Sequence, residues 1–103
     1  MAETKTYYVS FTLADNRSYT TRYDGLMTAL RALSPHCWWA VTTSYILFES
    51  ERCIDYVAGV VANQIDASVD VAIVATHGVM SMRVLGAYED EDIFRLVPFA
   101  KKA

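Results

Sequence analysis

The first third of the chain shows two different spacings of apolar residues. Over residues 6–13 apolar and polar positions alternate, with Tyr7 on one face and Tyr8 on the other, which is typical of a β-strand. Across residues 22–33 the apolar side chains recur at intervals of three and four, which predicts an amphipathic helix. The intervening residues 14–21 are rich in turn formers and predict a loop.

The middle of the chain predicts a β-hairpin. The parity of the apolar positions changes between Trp39 and Phe48. Because a continuous strand keeps one parity, the change predicts a turn or bulge near residues 42–44. We therefore expect two strands, at about 37–42 and 44–49.

A second helix and further strands follow the hairpin. Residues 50–65 return to helical spacing, with Ser50 as the expected N-cap and Glu51 in the first turn. The nearly all-apolar run 71–78 predicts a central strand. Residues 79–99 then predict a weaker strand followed by an acidic turn or short helix.

This order of elements predicts an α+β fold. The order β-α-β-β-α-β is that of the ferredoxin-like fold, an antiparallel sheet with two helices on one face, here with an extra C-terminal strand or short helix. A chain of 103 residues forms one such domain. Because the second face of this sheet carries no helix, one of Trp38 and Trp39 is expected in the core and the other on the open face. Tyr7 and Tyr8 divide in the same way.

The amino-acid composition indicates that the domain associates with another protein chain. Apolar residues make up 53% of the chain and charged residues 20%, so the domain is more apolar than average. An open sheet face with Trp and Tyr is a binding surface or a dimer interface, and we predict a homodimer. The ligand or interface residues expected on this sheet and its loops are Tyr7, Tyr8, Ser10, Thr12, Arg17, Trp38, Trp39 and Ser44.

The net charge limits the kinds of partner expected, and the cysteines and the lack of long apolar runs indicate the cellular compartment. A net charge of −3 argues against non-specific nucleic-acid binding, so a protein partner ranks above nucleic acid, which stays open. Cys37 and Cys53 are too far apart for a close metal-ligand pair and are expected to be reduced, mostly buried thiols. With no apolar leader and no run long enough to span a membrane, we expect a cytoplasmic protein without a membrane partner.

The same patterns resemble a known family. The strand YYVSFTL, the helix YDGLMTALRAL, the pair WW before a Ser-containing hairpin and the strand VAIVAT resemble the small SinR-like proteins. These are distant relatives of the CRISPR-associated endoribonuclease-like subunit that works in spacer acquisition. The resemblance covers most of residues 6–76 and implies a ferredoxin-like homodimer in which strands or C-terminal segments of two subunits join.

The resemblance also bears on catalysis. In the nuclease-like relatives the first strand ends in a Tyr-Asp pair whose aspartates hold a metal ion across the dimer, but here Phe11 and Thr12 stand at that place. Threonine cannot supply the charged oxygen that a Mg²⁺ site requires, which implies that this chemistry is lost. We therefore expect a non-catalytic protein without a cofactor.

Two alternatives stay open. In the first, the protein is a metal-dependent endonuclease in which Asp15, completed by Glu3 or other carboxylates, forms an altered Mg²⁺ site. In the second, it is a small-molecule sensor that holds its ligand between the open sheet faces of two subunits, against Tyr7 or Tyr8 and Trp38 or Trp39.

Overall fold

Six strands and three helices make up the part of the chain that the structure, a computed structural model, describes: residues 4–34, 37–40, 44–78 and 80–103. The helices are α1 (Tyr19–Leu33), α2 (Ile54–Gln64) and α3 (Ile93–Leu96). The strands are β1 (Lys5–Thr12), β2 (Trp38–Trp39), β3 (Tyr45–Ser50), β4 (Val71–His77), β5 (Met82–Gly86) and β6 (Ala100–Lys102).

The strands form one mixed sheet in the order β2-β3-β1-β4-β5-β6. Neighbouring strands from β2 to β5 are antiparallel, whereas β6 lies parallel to β5. The prediction of a wholly antiparallel sheet is therefore wrong at this edge. The physical reason is the connection: residues 87–99, which include α3, are long enough to return the chain to the starting end of β5, as a parallel pair requires.

One face of the sheet carries the main core. The side chains of Tyr7, Val9 and Phe11 on β1 are buried and point to this face, as the alternation predicts. The two long helices lie against each other and cover it, and their fully buried side chains are Leu26, Leu30, Val57 and Val61. Burial of each such side chain contributes about 1.5–3 kcal/mol, so this layer supplies most of the apolar stabilisation.

Both long helices begin at residues that differ from the prediction. The helix α1 begins at Tyr19, inside the predicted loop. The apolar spacing did not reveal its first turn because the residue buried there is Arg22, which is charged. The helix α2 begins at Ile54 with Cys53 at the N-cap, so the prediction of Ser50 as its cap is wrong. Ser50 ends β3 instead, and its hydroxyl accepts a hydrogen bond of 3.2 Å from the backbone N–H of Arg52.

The hairpin is shorter than predicted on its first side, since β2 holds only the two tryptophans. Residues 41–43, which hold most of the predicted turn, lie outside the described residues. Ser44 has a φ of 62°, in the left-handed region that is common in turns. Among the described residues, no helix has the length and apolar character needed to cross a membrane.

Candidate association surface

The register of the strands defines which side chains share the second face of the sheet. Tyr8 lies opposite Leu47 of β3 on one side and opposite Ala75 of β4 on the other. Trp39 in turn lies opposite Leu47. Because opposed residues of antiparallel strands point to the same side, these four side chains form one row across the second face.

The chain itself covers one half of this second face. Ala75, Met82, Val84 and Ala100 form a small buried cluster on β4, β5 and β6. The residues that pack against this cluster from the C-terminal segment are Tyr88, Ile93, Phe94 and Val97. We call this side of the second face the covered half.

The remaining half lies over β1, β2 and β3, and its side chains are Tyr8, Ser10, Trp39, Tyr45 and Leu47. Trp39, Tyr45 and Leu47 belong to neither buried cluster of the described residues, and Trp39 is 42% exposed. Tyr8 and Tyr45 stack with ring centroids 5.8 Å apart. We call this strip of aromatic and aliphatic side chains the uncovered half.

The two adjacent tryptophans point to opposite faces. Trp38 lies opposite Phe48, with ring centroids 6.2 Å apart, and the guanidinium of Arg31 lies 5.2 Å from its ring centroid. Trp38 therefore packs against the main core and already has a cation over its ring. Trp39 lies on the uncovered half, and none of the described residues places a cation over its ring.

The tyrosine pair divides in the same way. Tyr7 is fully buried in the main core, and its hydroxyl donates a hydrogen bond of 2.5 Å to the backbone carbonyl of Arg52. Burial, with smaller contributions from the neighbouring Cys53 and Asp55, raises the pKa of Tyr7 to about 12. Tyr7 is a neutral core residue, and Tyr8 is the member of the pair on the second face.

Of the other predicted site residues, Ser10 lies on the uncovered half, and the rest lie at its rim or away from it. Ser10 is half-buried beside Tyr45, and Thr12 is exposed at the end of β1. Arg17 and Asp15 are exposed in the loop between β1 and α1, and Ser44 is exposed before β3. Glu3 lies outside the described residues, among which no group of three or more His, Cys, Asp or Glu could hold a metal ion.

A small cleft lies at the edge of the uncovered half, and sequence reasoning did not find it. Its volume is about 260 Å³, and the residues that line it are Thr6, Cys37, Trp38, Trp39, Leu47, Phe48 and Glu49. Glu49 is half-buried, and its carboxylate has no ion pair among the described residues. The sequence could have indicated that Glu49 lies on the second face, because it is two residues from Leu47 along β3.

Both cysteines are exposed and free, so the prediction of buried thiols is wrong. Cys37 precedes β2 and Cys53 caps α2, and neither position points into the core. The reason is local: each cysteine stands just outside the strand or helix whose pattern suggested burial.

A second polar feature lies at the opposite end of the molecule, around Asp70. The side chain of Asp70 is fully buried and accepts hydrogen bonds from Arg22 through Nε (2.8 Å) and Nη2 (3.0 Å). It also accepts hydrogen bonds from the backbone N–H groups of Ala14 and Asp66, each at 2.8 Å. One carboxylate therefore joins α1, the loop after β1 and the loop before β4.

The partners of Arg22 complete this cluster. Its guanidinium donates to the carbonyl of Ala14 (2.9 Å), to Oδ1 of Asn16 (2.8 Å) and to the hydroxyl of Ser18. Burial raises the pKa of Asp70, but the hydrogen bonds from Arg22 and the two backbone N–H groups outweigh it and hold the pKa below its usual value. Since the charged groups of Asp70 and Arg22 are buried and paired with each other, the Asp70 cluster stabilises the fold and offers no open site.

Comparison of the chain with protein-family models, with curated proteins and with solved structures finds no match. The resemblance to the SinR-like proteins therefore stays a prediction. What the geometry offers for function is the uncovered half with its cleft, because the other polar cluster of the molecule is closed to a partner.

Proposed function

We propose that this chain is a non-catalytic, ferredoxin-like domain that acts by association, and that it forms a homodimer through the uncovered half of its sheet. The order β2-β3-β1-β4, with α1 and α2 in the two crossover connections, supports the ferredoxin-like assignment. The strands β5 and β6 with α3 then extend that sheet at one edge.

The observation that carries the proposal is the contrast between the two halves of one sheet face. The covered half is protected by apolar side chains of the C-terminal segment, and Tyr8 packs at its border. Trp39, Tyr45 and Leu47, by contrast, belong to neither buried cluster of the described residues. Aromatic side chains that share a partly exposed strip are typical of interfaces, where their burial and stacking stabilise the complex. A partner would supply the missing layer.

Charge favours a protein partner over nucleic acid. The net charge is −3, and the carboxylate of Glu49 stands at the edge of the uncovered half. Phosphate groups would be repelled there, and nucleic-acid binding depends on neutralising them with Lys and Arg.

The test of homodimerisation is the mass of the chain in solution. We expect sedimentation velocity at micromolar concentration to give twice the mass of one chain. A Tyr8→Ser, Leu47→Ser double variant should sediment as a folded monomer, since it removes two central side chains of the uncovered half. The matched control is Tyr56→Ser, which alters an exposed tyrosine on α2 and should leave the dimer intact. A wild-type chain that stays monomeric at high micromolar concentration contradicts the proposal.

A nuclease assay tests the non-catalytic part. Labelled RNA and duplex DNA incubated with Mg²⁺ or with EDTA should remain uncut in both. Mg²⁺-dependent cleavage that Asp15→Ala abolishes would replace the proposal with the metal-dependent endonuclease.

A further inference from the structure

On the second face of the sheet, the covered half is raised by the C-terminal segment and the uncovered half is not. Two copies of such a face can pack against each other, raised half on low half. We infer that the homodimer is built face to face, with residues 93–99 of each copy lying on the uncovered half of the other. We call residues 93–99, which comprise α3 and the turn after it, the ridge. This inference rests on the proposed function and adds to it the surface that each copy presents.

The ridge presents large apolar side chains outward. Ile93, Phe94 and Val97 pack on the sheet below, but Leu96 is 77% exposed and Phe99 is 36% exposed. A short helix that packs one side on its own sheet and shows a leucine on the other gains from a second apolar surface. The strip formed by Tyr8, Leu47 and Trp39 is such a surface.

A two-fold axis between the sheets, parallel to the strands, relates the two halves. Rotation about this axis places the β5–β6 side of one copy over the β2–β3 side of the other, and the reverse contact forms at the same time. With strands about 4.8 Å apart and about 3.3 Å per residue, the strand lengths give each half roughly 250 Å² of flat area. Two halves per copy thus reach about 500 Å², or about 1,000 Å² for the two copies together, which is the minimum expected of a specific interface.

The register places the end of the ridge beside the level of the cleft. Ala100 pairs with Met82, which lies in the row of Tyr8 and Leu47. Since β6 runs on from Ala100 toward the row of Ser10, the residues directly before it lie toward the row that contains Thr6 and Glu49. An axis parallel to the strands preserves this level, so we place the end of one copy's ridge at the cleft of the other.

Charge complementarity supports this pairing. Of the six arginines in the sequence, four are engaged within the chain: Arg22 with Asp70, Arg31 with Trp38, Arg52 with Tyr56 and Arg83 with Asp55. Only Arg17 and Arg95 have no ion pair or ring contact among the described residues, and Arg95 lies on the ridge. Glu49 is the unpaired carboxylate of the cleft.

We assign the cleft to Arg95 of the other copy. A volume of about 260 Å³ lies below the roughly 300–1,000 Å³ typical of small-molecule sites but admits one long side chain. There the guanidinium would pair with Glu49 and lie over the ring of Trp39, which repeats between copies the contact that Arg31 makes with Trp38.

Charge reversal with mixing tests this arrangement directly. Arg95→Glu alone and Glu49→Arg alone should each weaken the dimer about tenfold or more, because both symmetric contacts become repulsive. Mixed in equal amounts, the two variants should form a heterodimer of wild-type strength, since each contact then joins opposite charges. Sedimentation velocity with one variant fluorescently labelled measures this.

The controls separate the two proposals. Arg17→Glu reverses the other unpaired arginine, in the loop between β1 and α1, and should leave the dimer unchanged. Circular dichroism should show that all variants are folded. A monomeric wild-type chain overturns the homodimer itself. A wild-type dimer that neither charge reversal weakens, or that mixing fails to restore, overturns only the face-to-face arrangement.

Discussion

The Asp70 cluster and the uncovered half of the sheet differ in whether their polar and aromatic groups have partners within the chain. Asp70 and Arg22 are buried, and their charged atoms have partners from three parts of the chain. Trp39 and Glu49, by contrast, lack such partners among the described residues. A closed network holds the fold together, whereas an open set of complementary groups is available to a partner.

This contrast separates stability from association. A buried charge that loses its partner destabilises the fold, because it remains desolvated without compensation. An exposed side chain contributes little to folding and can contribute strongly to binding once a partner excludes water from it. Substitutions in the two regions should therefore change different quantities.

The largest expected effect is that of Asp70→Ala, which leaves the buried charge of Arg22 without its counter-ion and two backbone N–H groups without their acceptor. We expect the free energy of unfolding to fall by about 3 kcal/mol or more. Urea titration of the unfolding transition measures this. The control is Asp66→Ala. Among the described residues its exposed carboxylate accepts hydrogen bonds from Ser68 alone, and its loss should cost about 1 kcal/mol. Equal losses in the two variants would contradict the role of Asp70.

Gly86→Ala should act on the same cluster. A Cβ at Gly86 would lie 1.8 Å from the backbone oxygen of Asp70, and the φ of 98° disfavours any side chain. We expect a loss of about 2 kcal/mol in thermal or urea unfolding. In the matched variant Gly59→Ala the new Cβ meets no atom within 4 Å, and a helical alanine there should stabilise by about 0.5–1 kcal/mol. A neutral Gly86→Ala would refute the close approach.

Leu96→Ser should change association and leave stability nearly unchanged. Because Leu96 is 77% exposed, the free energy of unfolding of the monomer should move by less than about 0.5 kcal/mol. The dimer dissociation constant should rise about tenfold, as expected when an apolar side chain is removed from an interface. Val69→Ser, at an exposed apolar position in the loop before β4, is the control and should affect neither quantity. A destabilised but fully dimeric Leu96→Ser protein would place Leu96 in the fold instead.

The smallest effect is a pH dependence of stability at the Asp70 cluster. Since the pKa of Asp70 is lowered in the folded state, its contribution is present above the unfolded pKa of about 4 and is lost as pH falls through the folded pKa. The difference in unfolding free energy between wild type and Asp70→Asn should therefore shrink on acidification below about pH 4. A difference that stays constant down to pH 2 would show that ionisation of Asp70 does not stabilise the fold.

The sequence alone determined the local elements of this protein and their order. Alternation identified β1 with its two faces, helical spacing identified α1 and α2, and the change of parity after Trp39 separated β2 from β3. It also established that one tryptophan and one tyrosine must leave the core, because adjacent residues of a strand point to opposite faces. These results depend only on spacing along the chain.

The tertiary structure decided everything that depends on contacts between distant residues. Arg22 and Asp70 are 48 residues apart, and only the contact of α1 with the loop before β4 shows why a charged residue is buried in a helix. The direction of β6 and the cover that residues 88–97 give to half of the sheet follow from a long connection whose path no local pattern specifies. Which of the two tryptophans is exposed depended on the register with β3, and register is fixed by pairing between strands.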